Sequence, residues 1–189
     1  MHTVNLSGVS AQDRALARAI AQRAGVNLHD CYQCGKCAAG CPMASDMDLT
    51  PQQIMHALQA GLVSRALEAR GPWVCAGCMT CSARCPQKID ICSIMREVRR
   101  ESHAQGKRAV PESDTFETTF INGIRKNGRS NEQYLAAAYN VKSGHFMQDM
   151  GNAPKMFAKG LVGIGKNKVK DKAAVAKLVD TCLDKKGGE

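Results

Sequence analysis

Apolar positions along this chain recur at helical spacing almost from end to end, and alternation of the strand type is nearly missing. Ser10 and Asp13 form a capping-box signature ahead of Leu16, Ala19, Ile20 and Ala24, and Gly25 closes the run. Thr50-Pro51-Gln52-Gln53 is a stronger start, with an N-cap, a proline at the first helical position and a glutamine to complete the box. Ile54, Met55, Leu58 and Leu62 then share one face, and the pattern runs on to Arg70. Asp90 can cap a helix bearing Ile91, Ile94, Met95 and Val98. Asp114 with Glu117 opens a further helix with Phe116, Phe120 and Ile124 on one stripe. Ser130 with Gln133 opens Tyr134, Leu135, Ala138 and Tyr139, and Asp171 opens Val175, Leu178, Val179 and Cys182. Gly128, Gly144, Gly151 and Gly187 punctuate the second half. The expectation is an all-α protein with irregular loops where the cysteines lie.

One internal repeat organises the chain: Cys31–Pro42 against Cys75–Pro86. Both copies fall in residues 1–104, read as one domain, with a boundary near Gln105–Pro111. Residues 105–189 read as a helical, polar C-terminal extension without clustered cysteines, suited to docking a partner. Within it, 155–172 carries six lysines against one aspartate, interrupted by Gly160, Gly163 and Gly165. That stretch fits a loose basic loop and a short helix equally well.

Composition changes this picture in one respect. Leu, Ile, Val and Phe number 35 of 189 residues, and 26 Lys and Arg against 17 Asp and Glu leave a formal charge of +9. So few large apolar side chains with so much charge is the composition of a disordered chain. The 10 cysteines argue otherwise, because metal can staple a domain whose organic core is small. Eight of them crowd into two short runs, which is not the layout of a disulfide framework. No stretch of 18 apolar residues is present to span a bilayer. Met1 to Ala11 lacks the basic and apolar blocks of a secretory signal, so the expectation is a cytoplasmic protein in a reducing compartment.

The first run is Cys31-Tyr-Gln-Cys34-Gly-Lys-Cys37-Ala-Ala-Gly-Cys41-Pro42; the second is Cys75-Ala-Gly-Cys78-Met-Thr-Cys81-Ser-Ala-Arg-Cys85-Pro86. Both have the C-x2-C-x2-C-x3-C-P spacing that two-cluster bacterial ferredoxins use for [4Fe–4S] cubes. Three cysteines at two-residue gaps let one turning loop aim three thiolates at three irons. The loop's N–H groups then face the sulfides and offset the cluster's negative charge. In this pattern the fourth cysteine ligates the other cube. Crossed ligation therefore predicts one cluster on Cys31, Cys34, Cys37 and Cys85, and a second on Cys75, Cys78, Cys81 and Cys41. Structural zinc has no use for the third cysteine at the next two-residue gap, and disulfides do not suit the compartment. Eight cysteine ligands leave no position for a substrate, so no catalytic residue is assigned; two saturated cubes form a one-electron relay. Held by both metals, the two halves should fold poorly without them.

The remaining candidates are weaker. Cys92 and Cys182 sit on amphipathic patterns and read as buried thiols acting as small hydrophobes. His2, His29, His56, His103 and His145 show no ligand spacing, although His29 lies two residues from Cys31. Lys36, Arg84 and Lys88 lie within or beside the runs and either raise a cluster potential or are simply solvated. Two oxidised cubes at about −2 each lower +9 to about +5. The residual charge either docks an acidic partner or keeps the surface soluble. With eight aromatics (one Trp, three Tyr, four Phe) and no nucleic-acid motif beside the lysines, no nucleic-acid partner is expected.

The two runs, the 33-residue helical insert from Pro42 to Val74, and Trp73-Val74 directly before Cys75 resemble the C subunit of heterodisulfide reductase. More broadly they are similar to the α-helical ferredoxin domain found also in iron–sulfur subunits of succinate and fumarate dehydrogenases. The resemblance covers residues 26–104. In the tail, Gly128-Arg129-Ser130-Asn131-Glu132 and Ala136-Ala137-Ala138-Tyr139-Asn140 are similar to relatives of that C subunit from sulfur-metabolising organisms. The resemblance implies an α-helical ferredoxin-like domain in a hetero-oligomeric, heterodisulfide reductase-like complex. Its implied role is to carry electrons between two partners. One would be like the flavin-bearing A subunit, the other like the B subunit with its noncubane clusters on Cys-Cys-Gly motifs. This chain has no Cys-Cys pair and no Gly-x-Gly-x-x-Gly, so it matches neither of those partners. The alternative is the iron–sulfur subunit of a quinone-linked, membrane-associated dehydrogenase. Against it, the succinate-type relatives carry an N-terminal [2Fe–2S] domain and a [3Fe–4S] cube, and no cysteine is missing here.

Overall fold

The protein is described by a computed structural model, in which residues 9–145, 155, 158–159 and 169–184 are placed. Among these residues the regular structure is helical throughout, with no strand. The chain divides into two compact units, Met1–Val110 and Pro111–Glu189.

The first unit is built from seven helices: α1 (Ala11–Arg23), α2 (Lys36–Ala39), α3 (Pro51–Gln59), α4 (Val63–Leu67), α5 (Gly71–Val74), α6 (Thr80–Ala83) and α7 (Ile91–Ala104). The caps written in the sequence fix the starts. Ser10 and Asp13 make the reciprocal capping box at α1. Thr50 and Gln53 do the same at α3, with Pro51 at its first position. At α7 the Asp90 carboxylate accepts the Ser93 N–H at 3.1 Å. The apolar stripe expected from Thr50 to Arg70 is broken rather than continuous. Helix α3 ends at Gln59, Gly61 is left-handed, and Leu62 becomes the half-buried cap of α4.

Helices α1, α3, α4 and α7 enclose the core. Ile20, Ile54, Met55, Leu58, Leu67, Ile91, Ile94, Met95 and Val98 are all essentially inaccessible. Each contributes about 1.5–3 kcal/mol by leaving water. Polar groups within the packed interface are paired. Arg23 of α1 reaches Glu97 at 3.1 Å and Glu101 at 2.7 Å on α7, and the Ser102 hydroxyl donates to the Leu67 carbonyl at 2.6 Å. The short helices α2, α5 and α6 are set at the ends of this framework, within the two cysteine runs and directly before the second.

The second unit contains α8 (Pro111–Asn127), α9 (Glu132–Ser143) and α10 (Lys172–Asp184). Here the sequence signals are displaced. Helix α8 starts at Pro111, where a preset φ and a missing N–H cost nothing, and Asp114 is buried within it rather than capping it. Its buried positions are Asp114, Thr119 and Gly123, not the aromatic stripe. Phe116 is 45% exposed and packs on Phe120 and, edge to face, on Tyr139. Gly123 leaves room for the Tyr134 ring. Asn131, not Ser130, caps α9 by accepting the Tyr134 N–H at 3.1 Å. Asp171 does cap α10, but Leu178 and Cys182 of its expected apolar face are exposed. Gly151, Gly187 and most of the basic segment 155–172 lie outside the described residues.

Candidate metal centre

The two cysteine runs adopt the same backbone path. Cys31 and Cys75 each follow a short helical turn (3-10 at Leu28–Asp30, α5 in the second run) and are extended, at φ −83° and −63°. Two and four residues later each chain turns left-handed: at Gln33 (φ +62°) and Gly35 (φ +78°) in the first run, and at Gly77 (φ +64°) and Met79 (φ +60°) in the second. A one-turn helix follows, α2 or α6, carrying the third cysteine, and the fourth comes just beyond its end. Each run places glycine at one left-handed position and an ordinary side chain at the other, in opposite order. The non-glycine residue carries about 1–2 kcal/mol of strain. What such turns provide is a concave row of backbone N–H groups suited to an anion.

Exposure repeats as well. The second cysteines, Cys34 and Cys78, are exposed; the third, Cys37 and Cys81, are buried; the first and fourth are half-buried. Burial pushes the Cys37 thiol above its ordinary range and the Cys81 thiol up to about 11. On the exposed side, the Thr80 hydroxyl 3.4 Å away lowers Cys78.

Each fourth cysteine lies near the opposite run. Cys41 lines a single cavity with Cys75, Cys78 and Cys81, a space of about 310 Å³ that includes its open mouth. Conversely, Cys85 lies close to the first run. Tyr32, between Cys31 and Cys34, has its phenol pushed up by partial burial and by the thiolates of Cys34, Cys85 and Cys31. The two runs approach one another where α2 meets α6. Arg84 precedes Cys85, and its guanidinium lies over Gly40, which precedes Cys41. A Cβ on Gly40 would stand 2.8 Å from Arg84 Cδ and 3.1 Å from Cζ.

Helix α3 holds the first run in place. The Gln33 amide donates to Gln59 Oε1 at 2.6 Å and accepts from Gln52 Nε2 at 2.9 Å. The same donor lies 3.5 Å from Cys31 Sγ. Gln59 Nε2 in turn donates to the carbonyls of Leu28 and Cys31 at 2.7 and 2.8 Å. The second run is tied to α7. Ser82 Oγ donates to Asp90 at 2.7 Å and accepts the Cys92 N–H at 3.0 Å. The cysteine pattern alone does not single out these glutamines or the Ser82–Asp90 pair. Gln52 and Gln59, seven residues apart on one helix face, are the signal that is there to read.

Other sequence candidates are placed differently from expectation. Cys182 is exposed rather than buried. Cys92 is half-buried and packs against the hydrophobic core, and it also lines the same cavity as Cys41, Cys75, Cys78 and Cys81. His29, Lys36 and Lys88 are exposed. Among the described residues no three His, Cys, Asp or Glu side chains converge as they would around a single metal ion.

Residues 27–89 match the model of the 4Fe-4S dicluster domain, whose span takes in all eight clustered cysteines. The region is a 4Fe-4S dicluster domain, and it binds two [4Fe–4S] clusters. The thiol pattern, the inward-turning loops and the shared cavity all fit that cofactor. The dicluster domain is related to the C subunit of heterodisulfide reductase. The chain is 32% identical over 84 residues to the iron-sulfur C subunit of the CoB–CoM heterodisulfide reductase of Methanopyrus kandleri, 44% of each chain. It is 30% identical over 102 residues to a protein of Archaeoglobus profundus that is itself like the heterodisulfide reductase C subunit, covering 52% of this chain and 54% of that one. The C subunit of the H(2):CoB-CoM heterodisulfide,ferredoxin reductase of Methanothermobacter thermautotrophicus is 29% identical over 94 residues, 50% and 51% of the two chains. The chain thus spans about half the length of the curated relatives it matches. The dicluster domain is an iron–sulfur electron-transfer module. No helix among the described residues is long and apolar enough to cross a membrane.

Proposed function

We propose that this protein is the electron-relay subunit of a heterodisulfide reductase-like complex, passing single electrons between a flavoprotein and a catalytic, disulfide- or thiol-active subunit. One cluster takes Cys31, Cys34, Cys37 and Cys85; the other takes Cys75, Cys78, Cys81 and Cys41. The observation that carries the ligand assignment is the cavity that Cys41 shares with the second run. Bound there, each cluster stores and releases one electron.

The chain's own groups do the rest. Crossed fourth cysteines bind the loops to one another, so the two electron sites are held at one fixed separation. The left-handed turns direct backbone N–H groups inward and stabilise the extra negative charge of the reduced state. Arg84, at the crossing, adds a positive charge to both sites. The exposed Cys34 and Cys78 bring one edge of each site to the surface, giving one door for each partner. With all ligand positions filled by cysteine, the disulfide chemistry belongs to a partner, as the names of the relatives support. The reading places the chain in the cytoplasm, where thiolate ligands stay reduced.

The test is an anaerobic pull-down of the tagged native chain with mass spectrometry of what co-purifies. The expected result is a flavoprotein and a Cys-Cys-Gly-containing protein, with electron flow between them lost in Cys34→Ala. A membrane cytochrome or quinone-binding protein in their place moves the chain to the quinone-linked dehydrogenases. Flow that persists after a cube is lost contradicts the relay.

A further inference from the structure

The second cavity is lined by five cysteines, not four. Cys92, on the first turn of α7, faces the same space as Cys41, Cys75, Cys78 and Cys81. It also lines the adjoining hollow together with Cys75, Asp90 and Arg96. Met79, one of the left-handed residues of the cluster loop, lines both hollows with it. Cys92 thus stands at the wall of the site. Its position is fixed from below. The Cys92 N–H is bound by Ser82 Oγ, and Ser82 is held by the Asp90 cap of α7. The first run has no counterpart at the equivalent position: seven residues beyond its last cysteine stands Asp48. The Asp48 carboxylate is spent on the backbone N–H groups of Arg70 and Gly71, at 2.9 Å each.

We infer that Cys92 is a reserve ligand of the second cluster, able to replace Cys75. The inference rests on the two-cluster reading above and adds that the sites are unequal: one has a spare thiol and the other has none. In the exchange, the Cys92 thiol gives its proton to solvent and its sulfur bonds the iron, while the Cys75–iron bond breaks and the released Cys75 thiolate takes up a proton from solvent. No electron is gained or lost, so the step needs no oxidant or reductant. The shift required is small, because Cys75 and Cys92 line both hollows together.

The test compares Cys34→Ala, Cys75→Ala, Cys92→Ala and the double variant Cys75→Ala/Cys92→Ala. All are purified anaerobically in the full chain and read by iron and sulfide content and by EPR of the reduced protein. Alanine is used because a serine oxygen can itself bind iron. The expected result is that Cys92→Ala keeps both clusters and Cys34→Ala loses one. Cys75→Ala should keep both with an altered signal for one, and the double variant should lose that one. If Cys75→Ala loses its cluster as completely as the double variant does, the inference is wrong. Should Cys75→Ala not fold, a redox titration of Cys92→Ala decides. A sulfur at the cavity wall requires the midpoint of one cluster to move while the other stays, and two unmoved midpoints overturn the inference. Failure of the dicluster reading itself would look different, since the unsubstituted chain would then lack two clusters.

Discussion

The opposite order of glycine and non-glycine residues in the two cluster loops makes a quantitative prediction. Gly77 is at φ +64° with open space around the position of a Cβ, so Gly77→Ala introduces no clash. Its whole cost is the left-handed backbone, about 1–2 kcal/mol. Against that, alanine narrows the unfolded chain by about 0.4–1 kcal/mol. The net is about 1 kcal/mol. Gly35→Ala in the first run has the same open space and the same cost, at φ +78°. Met79→Gly runs the argument backwards: Met79 is at φ +60° and 55% exposed, so the change relieves about 1 kcal/mol and loses little packing. Gln33→Gly relieves the same strain at φ +62° but removes the hydrogen bonds to Gln59 and Gln52, at about 1 kcal/mol each. Its net is a loss of about 1 kcal/mol. If cluster release to a chelator proceeds through loop opening, 1 kcal/mol is a factor of about five in rate. Anaerobic bleaching of cluster absorbance under excess chelator reads it. Gly35→Ala, Gly77→Ala and Gln33→Gly should each bleach about fivefold faster, and Met79→Gly about fivefold slower. A Met79→Gly protein that bleaches no slower than the parent would refute the strain argument.

Four further outcomes follow from the same contacts. Arg84→Ala should lower the midpoint potentials of both clusters in a redox titration, because a positive charge at the crossing favours the reduced state. Gly40→Ala should act in the same direction, since the new Cβ takes the space of the Arg84 side chain, a flexible group that can swing away. Arg23→Met takes the 3.1 Å partner from the 12% exposed Glu97 side chain and leaves the longer Arg100 contact at 3.7 Å. We expect a loss of about 2–3 kcal/mol, seen as a lower thermal unfolding temperature of the cluster-loaded protein. At Asp90 burial raises the pKa, but hydrogen bonds from Ser93 and Ser82 outweigh it and hold the carboxyl below its ordinary value. The depressed folded value means its contribution is complete above the unfolded pKa, about 3.9, and is lost as pH falls through the folded one. Asp90→Asn should therefore destabilise the protein between pH 5 and 8, with the difference shrinking only in strong acid, as a pH series of thermal melts would show.

What was legible in the sequence was whatever a local rule dictates. The capping boxes at Ser10 and Thr50 and the cap at Asp90 lie within three residues of the N–H groups they bind, so the starts of α1, α3 and α7 could be read directly. The cofactor was legible because two complete C-x2-C-x2-C-x3-C-P runs have the spacing that [4Fe–4S] clusters use. The start of α8 was displaced to Pro111, whose preset φ and missing N–H suit a first helical position, and the cap of α9 moved from Ser130 to Asn131, where two polar residues in succession compete for one cap. The roles of Gln52, Gln59 and Arg84 were out of reach, because they depend on long-range approach. Gln59 reaches a loop 28 residues earlier, and Arg84 crosses to Gly40 of the other repeat. Cys92 reads as an ordinary helix thiol because nothing in its own neighbourhood states that the first turn of α7 faces the cluster loop. The Ser82–Asp90 contact that turns it there joins residues on two separate elements.

The account stands on the crossing of the fourth cysteines, and an anaerobic crystal structure of the cluster-loaded chain, phased on iron, tests it most directly. The prediction is a Cys41 sulfur bonded to the cluster held by Cys75, Cys78 and Cys81, with Cys85 bonded to the one held by Cys31, Cys34 and Cys37. Cys41 bound together with Cys31, Cys34 and Cys37 would contradict it, and with it the rigid pairing on which the relay depends.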